Sequence, residues 1–235
     1  MVTHPVVTAL FVGTPRLLPG ESHSSAIYKH PVSVARFGPE GLEGDQQADR
    51  RVHGGPEKAV HAYPAEHYAA LAARFPAAAP QLIPGSIGEN LSVLGLTEKD
   101  ACIGDVYALG SARLQLAQPR TPCWKIDTRY DQDGMARFIG ETGLAGWYFR
   151  VLASGETRPG DRLELVDRNA APISLAQLWQ WQHALRPDPE CLEAAAATAG
   201  LTANWVKKLT DRARWLRDQG GAPATPLFHV KPEDR

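Results

Sequence analysis

Glycine and proline interrupt the first two-thirds of this chain so often that long helices are ruled out there. The 235 residues hold 21 glycines and 19 prolines, and the apolar runs between them suit short strands. Val6–Val12 is apolar and β-rich. Ile27–Lys29 and Val32–Phe37 read as two strands hinged at Pro31, before Gly38-Pro39-Glu40-Gly41 turns the chain and Leu42–Asp45 leads into the polar, basic Gln46–Arg51. Further strands are expected at Val60–Tyr63, Leu91–Leu94, Ile103–Leu109, Arg113–Gln118, Trp147–Leu152 and Pro159–Val166. Two of these follow a Gly-Asp turn, Gly104-Asp105 and Gly160-Asp161. The helices expected in this region run from Pro64 to about Phe75, with Tyr68, Leu71 and Phe75 on one face, and near Gly134–Glu141. Many short strands with few helices predict a mainly β fold, a closed or nearly closed barrel, over residues 1–168.

After Arg168 the periodicity turns helical. Ser174 precedes Leu175, Leu178 and Trp179; Asp188-Pro189 starts an alanine-rich run that Gly200 should end; Thr202 caps a third helix carrying Trp205, Val206, Leu209, Ala213 and Leu216. This three-helix segment, residues 169–219, is too thin to fold well alone, so its tryptophans are expected to dock on the barrel or on a partner. Residues 220–235 read as a loose tail that Leu227–Val230 could anchor.

A formal net charge of −1 gives no global attraction to polymeric nucleic acid or to a membrane surface, so an anion site must be local. No signal peptide or membrane-spanning run is legible, and the three cysteines, Cys102, Cys123 and Cys191, show no close pairing. The expectation is a cytoplasmic protein with reduced thiols and no four-cysteine cluster of its own.

The stretch with most chemical content is Gln118-Pro119-Arg120-Thr121-Pro122-Cys123-Trp124-Lys125. Leu114 and Leu116 of the preceding strand should face the core while Arg113, Gln115 and Gln118 face away. Pro119 and Pro122 then stop the strand and stiffen the segment between them. A cysteine on such a turn, beside Arg120 and Lys125, suits a nucleophile or a soft-metal ligand, against the plainer role of a small buried hydrophobe. Cys102 and Cys191 lack this setting and are taken as structural. His53-Gly54-Gly55 could be a simple turn, but adjacent glycines also let backbone amides approach an anion, and Lys58 lies close enough in the chain to pair with it. Glu89-Asn90 reads as a turn entering a strand. Asp45 reads as a turn or ion-pair residue, and Trp147 and Tyr148 as core.

Gly41-Leu42-Glu43-Gly44-Asp45, His53-Gly54-Gly55-Pro56-Glu57-Lys58-Ala59, Gly88-Glu89-Asn90-Leu91, Pro119-Arg120-Thr121-Pro122-Cys123 and Gly143-Leu144-Ala145-Gly146-Trp147 occur in an order and spacing that resembles MOSC domains, the domains named for the C-terminal part of molybdenum cofactor sulfurase. Within these the chain is most similar to stand-alone bacterial YiiM-like proteins, which carry a C-terminal three-helix segment. The resemblance implies a β-barrel binding a molybdenum–pterin cofactor, with Cys123 as the metal ligand. It also implies reduction of N-hydroxylated compounds, such as hydroxylamino nucleobases and amidoximes, to amines. In that setting His53, Gly54, Gly55, Lys58, Arg120 and Lys125 would hold the cofactor; Asn90 would hydrogen-bond the pterin or substrate, and Glu89 would relay a proton. With no dinucleotide or flavin motif, electrons would come from a separate reductase or ferredoxin-like protein, with Trp179, Trp181 and Trp205 as one candidate docking surface. A monomer or homodimer is expected. The alternative from another class is a sulfur carrier holding a persulfide on Cys123.

Overall fold

A computed structural model describes residues 4–49 and 53–218. Its main element is an eight-stranded mixed sheet of β1 (Val6–Val12), β2 (His30–Val32), β3 (Val60–Pro64), β4 (Leu91–Leu94), β5 (Val106–Leu109), β6 (Ala112–Pro119), β7 (Trp147–Ala153) and β8 (Leu163–Asp167). The order across the sheet is β8-β5-β6-β7-β3-β4-β1-β2, antiparallel throughout except for the β3–β4 pair. The sheet curls until its ends approach. Val7 N donates to Asp161 O at 3.0 Å, and Leu163 N donates to Pro5 O at 2.9 Å. A mainly β, barrel-like architecture with several short helices is therefore what the glycine and proline punctuation builds.

Edge and turn chemistry explains most departures from the expected boundaries. Pro31 is not a hinge between strands: it lies inside edge strand β2 opposite Phe11, where a missing N–H costs no interior ladder bond. Ile27–Lys29 forms no strand. Pro64 ends β3 instead of opening a helix, and helix α1 is His67–Arg74. Its buried face is the expected one, with Leu71 wholly buried and Tyr68 and Phe75 nearly so. An unanticipated helix, α2 (Lys125–Tyr130), succeeds the cysteine turn, and α3 spans Met135–Thr142.

The strand β6 departs most from simple alternation. Its register against β7 shifts between Leu116 and Gln118, so residues 116–119 are all buried. Such a bulge re-aims side chains: Gln118 stands opposite Tyr148, off the face of Leu114 and Leu116, and is buried, not exposed. It meets the C-terminal helices α4 (Leu175–His183), α5 (Pro189–Ala196) and α6 (Ala203–Asp218). Ser174 caps α4 with a full capping box to Gln177, and Asp188 caps α5. Ala196, not Gly200, ends α5. Thr202 stands directly before α6, its carbonyl accepting from Val206 N at 2.9 Å; its hydroxyl donates to Gln118 Oε1 at 2.9 Å, while Thr202 N donates to Ala117 O at 3.2 Å.

The helices and the sheet share one hydrophobic core. Trp179 and Trp205 are buried in it, and Trp179 Nε1 donates to Gly140 O at 2.8 Å. These two rings are thus spent on docking the helices to the barrel. Removing the Thr202 hydroxyl leaves a buried amide oxygen short of a donor, so Thr202→Val is expected to lower stability by about 1 kcal/mol, with Thr202→Ser close to wild type. Urea denaturation of the two variants checks this. No helix among the described residues is long and apolar enough to cross a membrane. The 220–235 tail and Arg50-Arg51-Val52 lie outside the described residues.

Candidate functional site

The cysteine turn is anchored at both ends before it reaches the site. Pro119 remains in register with Trp147 of β7, and Arg120 N donates to Gly146 O at 3.0 Å. Beyond Pro122, Ile126 N donates to Cys123 O at 3.1 Å as α2 begins. Arg120, Thr121, Cys123 and Lys125 all line one cavity. Its other walls are Ser25–Ile27 with Lys29, the segment from Asp45 to Ala48, His53-Gly54 with Lys58, and Ile87, Gly88 and Asn90; His61 and Tyr148 complete it from neighbouring strands.

Most of the residues singled out from the sequence converge here: His53, Gly54, Lys58, Asn90, Arg120, Cys123 and Lys125. Gly55 and Glu89 do not line the cavity. Gly54 and Gly55 both take left-handed backbone, φ 80° and 79°, which a side chain would strain. Gly55 therefore shapes the loop that presents His53 and Gly54, before the short 3-10 turn Pro56–Lys58. Lys125 Nζ donates to Ser24 O at 3.1 Å, tying α2 to the opposite wall.

Two assigned roles change. Glu89 is fully buried behind the wall, where it accepts from Tyr68 Oη and Gly85 N, each at 2.7 Å. It holds the loop leading into β4 and does not itself line the cavity. Asn90 reaches the lining, but its side chain is engaged with the backbone: Oδ1 accepts from His61 N at 3.0 Å and Nδ2 donates to Phe11 O at 3.2 Å. Its main work is clamping β1 and β3 around the site.

Lys29, His61 and Tyr148 also line the cavity, although no sequence pattern placed them in the site. Lys29 forms an ion pair with Asp45, both side chains almost wholly buried, and Asp45 also accepts from Gly13 N at 2.7 Å. Asp45 is thus the ion-pair residue expected, but its partner required the fold. His61 and Tyr148 face each other across the β3–β7 ladder; Trp147 is core, as expected, and Tyr148 is not. No local signal marks these two residues, because only strand register makes them neighbours.

The lining carries four cationic side chains, Lys29, Lys58, Arg120 and Lys125, and one carboxylate, Asp45. Since Asp45 is taken by Lys29, the cavity has a cationic surplus. Burial depresses the Lys58 and Lys29 ammonium pKa values, against the pull of Asp45 in the second case. Burial also pushes His53 down to about 4, helped by Lys125, Arg120 and Lys58. His61 falls well below its ordinary value for the same reason, with Arg120 adding to it. Both imidazoles are neutral at pH 7. Unfolding returns His53 to about 6.5, so the unfolded chain gains a proton first as pH falls. Stability contributed by the neutral His53 is complete above pH 6.5 and lost towards pH 4. His53→Gln is expected to flatten that part of the profile, checked by denaturation midpoints at pH 7 and 5.

An anionic group fits this cavity. Arg120 is nearly buried, with Nη2 donating to Ile87 O at 3.4 Å and Nη1 finding no acceptor among the described residues. A buried guanidinium N–H without an acceptor is costly unless a ligand supplies one. Among the described residues no group of three or more His, Cys, Asp or Glu side chains could hold a bare metal ion. A metal at Cys123 would have to bring its remaining donor atoms with it, as a dithiolene-bearing cofactor does.

Residues 49–164 match the family profile described as the MOSC domain. Protein YiiM of Escherichia coli (strain K12) is 37% identical over 173 residues, 73% of this chain and 76% of that protein. A protein of Gibberella moniliformis named Reductase is 36% identical over 151 residues, 63% of this chain and 27% of that protein. The crystal structure of YiiM from Geobacillus stearothermophilus is similar with a TM-score of 0.75 at 31% identity, covering 89% of this chain and 99% of that one.

Proposed function

The chain belongs to the MOSC domain family, and from that premise we propose that it binds a molybdenum–pterin cofactor through Cys123 and reduces N-hydroxylated compounds to amines. The observation that carries the reading is the pairing of one accessible thiol with a cationic cavity that contains a buried, unpartnered guanidinium nitrogen. The name of the fungal relative supports the oxidoreductase class.

When bound, the cofactor supplies the two-electron couple that breaks the N–O bond. The net change is R–NHOH plus two electrons and two protons to R–NH2 plus water. Cys123 provides the thiolate donor that a soft metal site favours. Arg120, Lys125 and Lys58 hold the anionic phosphate, with Gly54 giving its backbone close access. Neutral His53 neither adds to the charge surplus nor repels the cations around it, and its imidazole can both donate and accept. The buried Lys29–Asp45 pair and Asn90 fix the walls, so these groups meet the ligand without rearranging. A separate electron donor, a reductase or ferredoxin-like protein, completes the cycle.

The test is wild-type protein from a cofactor-competent host, assayed for molybdenum, released pterin and reduction of an N-hydroxy substrate by a chemical reductant. Stoichiometric metal and pterin with turnover are expected. A persulfide on Cys123 with neither metal nor pterin would overturn the reading and leave a sulfur carrier in its place.

A further inference from the structure

The reactant and product of the proposed reaction differ by one oxygen atom, so a selective site needs a group that reads that atom. Tyr148 is placed to do so. It stands opposite His61 in the β3–β7 ladder, with the two rings 5.3 Å apart and tilted by 41°. Its strand neighbours Trp147 and Phe149 are wholly buried, whereas Tyr148 keeps partial exposure. Alternation puts it on the opposite face of β7, the face that lines the cavity with Cys123 and Arg120.

The polar end of the ring has an unusual setting. The Arg120 guanidinium lies beside the hydroxyl, and a phenol oxygen next to a cation turns its proton elsewhere. Among the described residues no carbonyl or carboxylate is recorded accepting that proton. A phenol titrates at about 10, so at neutral pH the hydroxyl keeps its proton and is a donor. A tyrosine needed only for packing could be phenylalanine here, as its wholly buried neighbour Phe149 is.

We propose that Tyr148 is a specificity-determining residue, whose hydroxyl donates a hydrogen bond to the oxygen of a bound N-hydroxy group, an acceptor the amine product lacks. The assignment rests on the N-hydroxy reductase reading above. It has a kinetic consequence: when the N–O bond breaks and the oxygen leaves as water, the amine loses this contact and its affinity falls, which favours release. A site that satisfies a polar donor only with the reactant discriminates against the analogue that leaves the donor unpaired.

The experiment uses oxidised, cofactor-loaded protein without an electron donor, so that ligands bind and do not react. Titration calorimetry compares 6-hydroxylaminopurine with adenine, which differ by the oxygen in question, in wild type and Tyr148→Phe. Wild type is expected to prefer the hydroxylamino form by about tenfold, and Tyr148→Phe to bring the two affinities together with molybdenum content unchanged. The phenylalanine variant keeps the ring and its packing, and a matching thermal midpoint verifies the fold. A preference that persists in the variant, or is missing in wild type, overturns the assignment. Wild-type protein without molybdenum overturns the reductase reading and this assignment with it, and the metal assay reports that before any ligand is added.

Discussion

Cys123→Ser is expected to remove nearly all bound molybdenum and pterin while the fold survives. Serine keeps the size and the turn, and the Cys123 carbonyl still accepts from Ile126 N. Cys123 is only partly buried, so the exchange costs little in packing, within about 0.5 kcal/mol for a site of this kind. A hydroxyl, however, is neither as acidic nor as soft as a thiol, and the lining offers no other cysteine. Metal analysis beside a thermal melt separates the two effects. If the serine variant retained its metal at an unchanged midpoint, the ligand would have to be sought elsewhere in the cavity. Arg120→Met tests the anion clamp in the same assay and should reduce cofactor retention without abolishing it, since Lys58 and Lys125 remain.

Asp105→Ala is expected to destabilise the protein more than any of the other substitutions, by about 3 kcal/mol. Asp105 is completely buried and serves several donors together. It accepts from Cys102 N at 2.8 Å, from Tyr107 Oη at 2.9 Å, and from Arg168 through Nε at 2.8 Å and Nη2 at 2.6 Å. Arg168 also donates to Asp100 O, so it ties the end of β8 to the turn before β5. The Arg168 side chain is about one-third exposed and can turn to water, which limits its share of the loss. The Cys102 N–H and Tyr107 hydroxyl have less freedom, and their unmet bonds account for much of the expected cost. Denaturant unfolding should show a lower midpoint with an unchanged slope. Cofactor content at low temperature should stay near wild type, because none of these groups lines the cavity.

Local chemistry was enough for several elements. Glycine and proline spacing delimits β1, β4, β5, β6 and β7, since nothing longer than a short strand fits between such breaks. Ser174 and Asp188 announce α4 and α5 because a capping side chain is a local device. The cysteine turn was legible for the same reason: two prolines, a cation and a thiol act within a few residues of one another. Pro64 shows the limit of that logic. A proline suits the first turn of a helix and equally the end of a strand, and pairing of β3 with β4 selects the second.

What only the tertiary structure decided involves residues whose partners are far along the chain. Lys29 meets Asp45, Gln118 meets Thr202, and His61 meets Tyr148, none of them linked by any periodicity. The bulge in β6 sets Gln118 opposite Tyr148, off the face of Leu114 and Leu116 with which strict alternation would align it, and Thr202 from far along the chain meets it there. Glu89 and Asn90, adjacent in sequence, part company for a related reason: one is held behind the wall by Tyr68, and the other spans β1 and β3. Composition and local pattern thus determined which short strands form and where the cavity-lining thiol sits. Register, burial and the closing of the sheet decided which side chains surround it, because those depend on contacts made only when the strands meet.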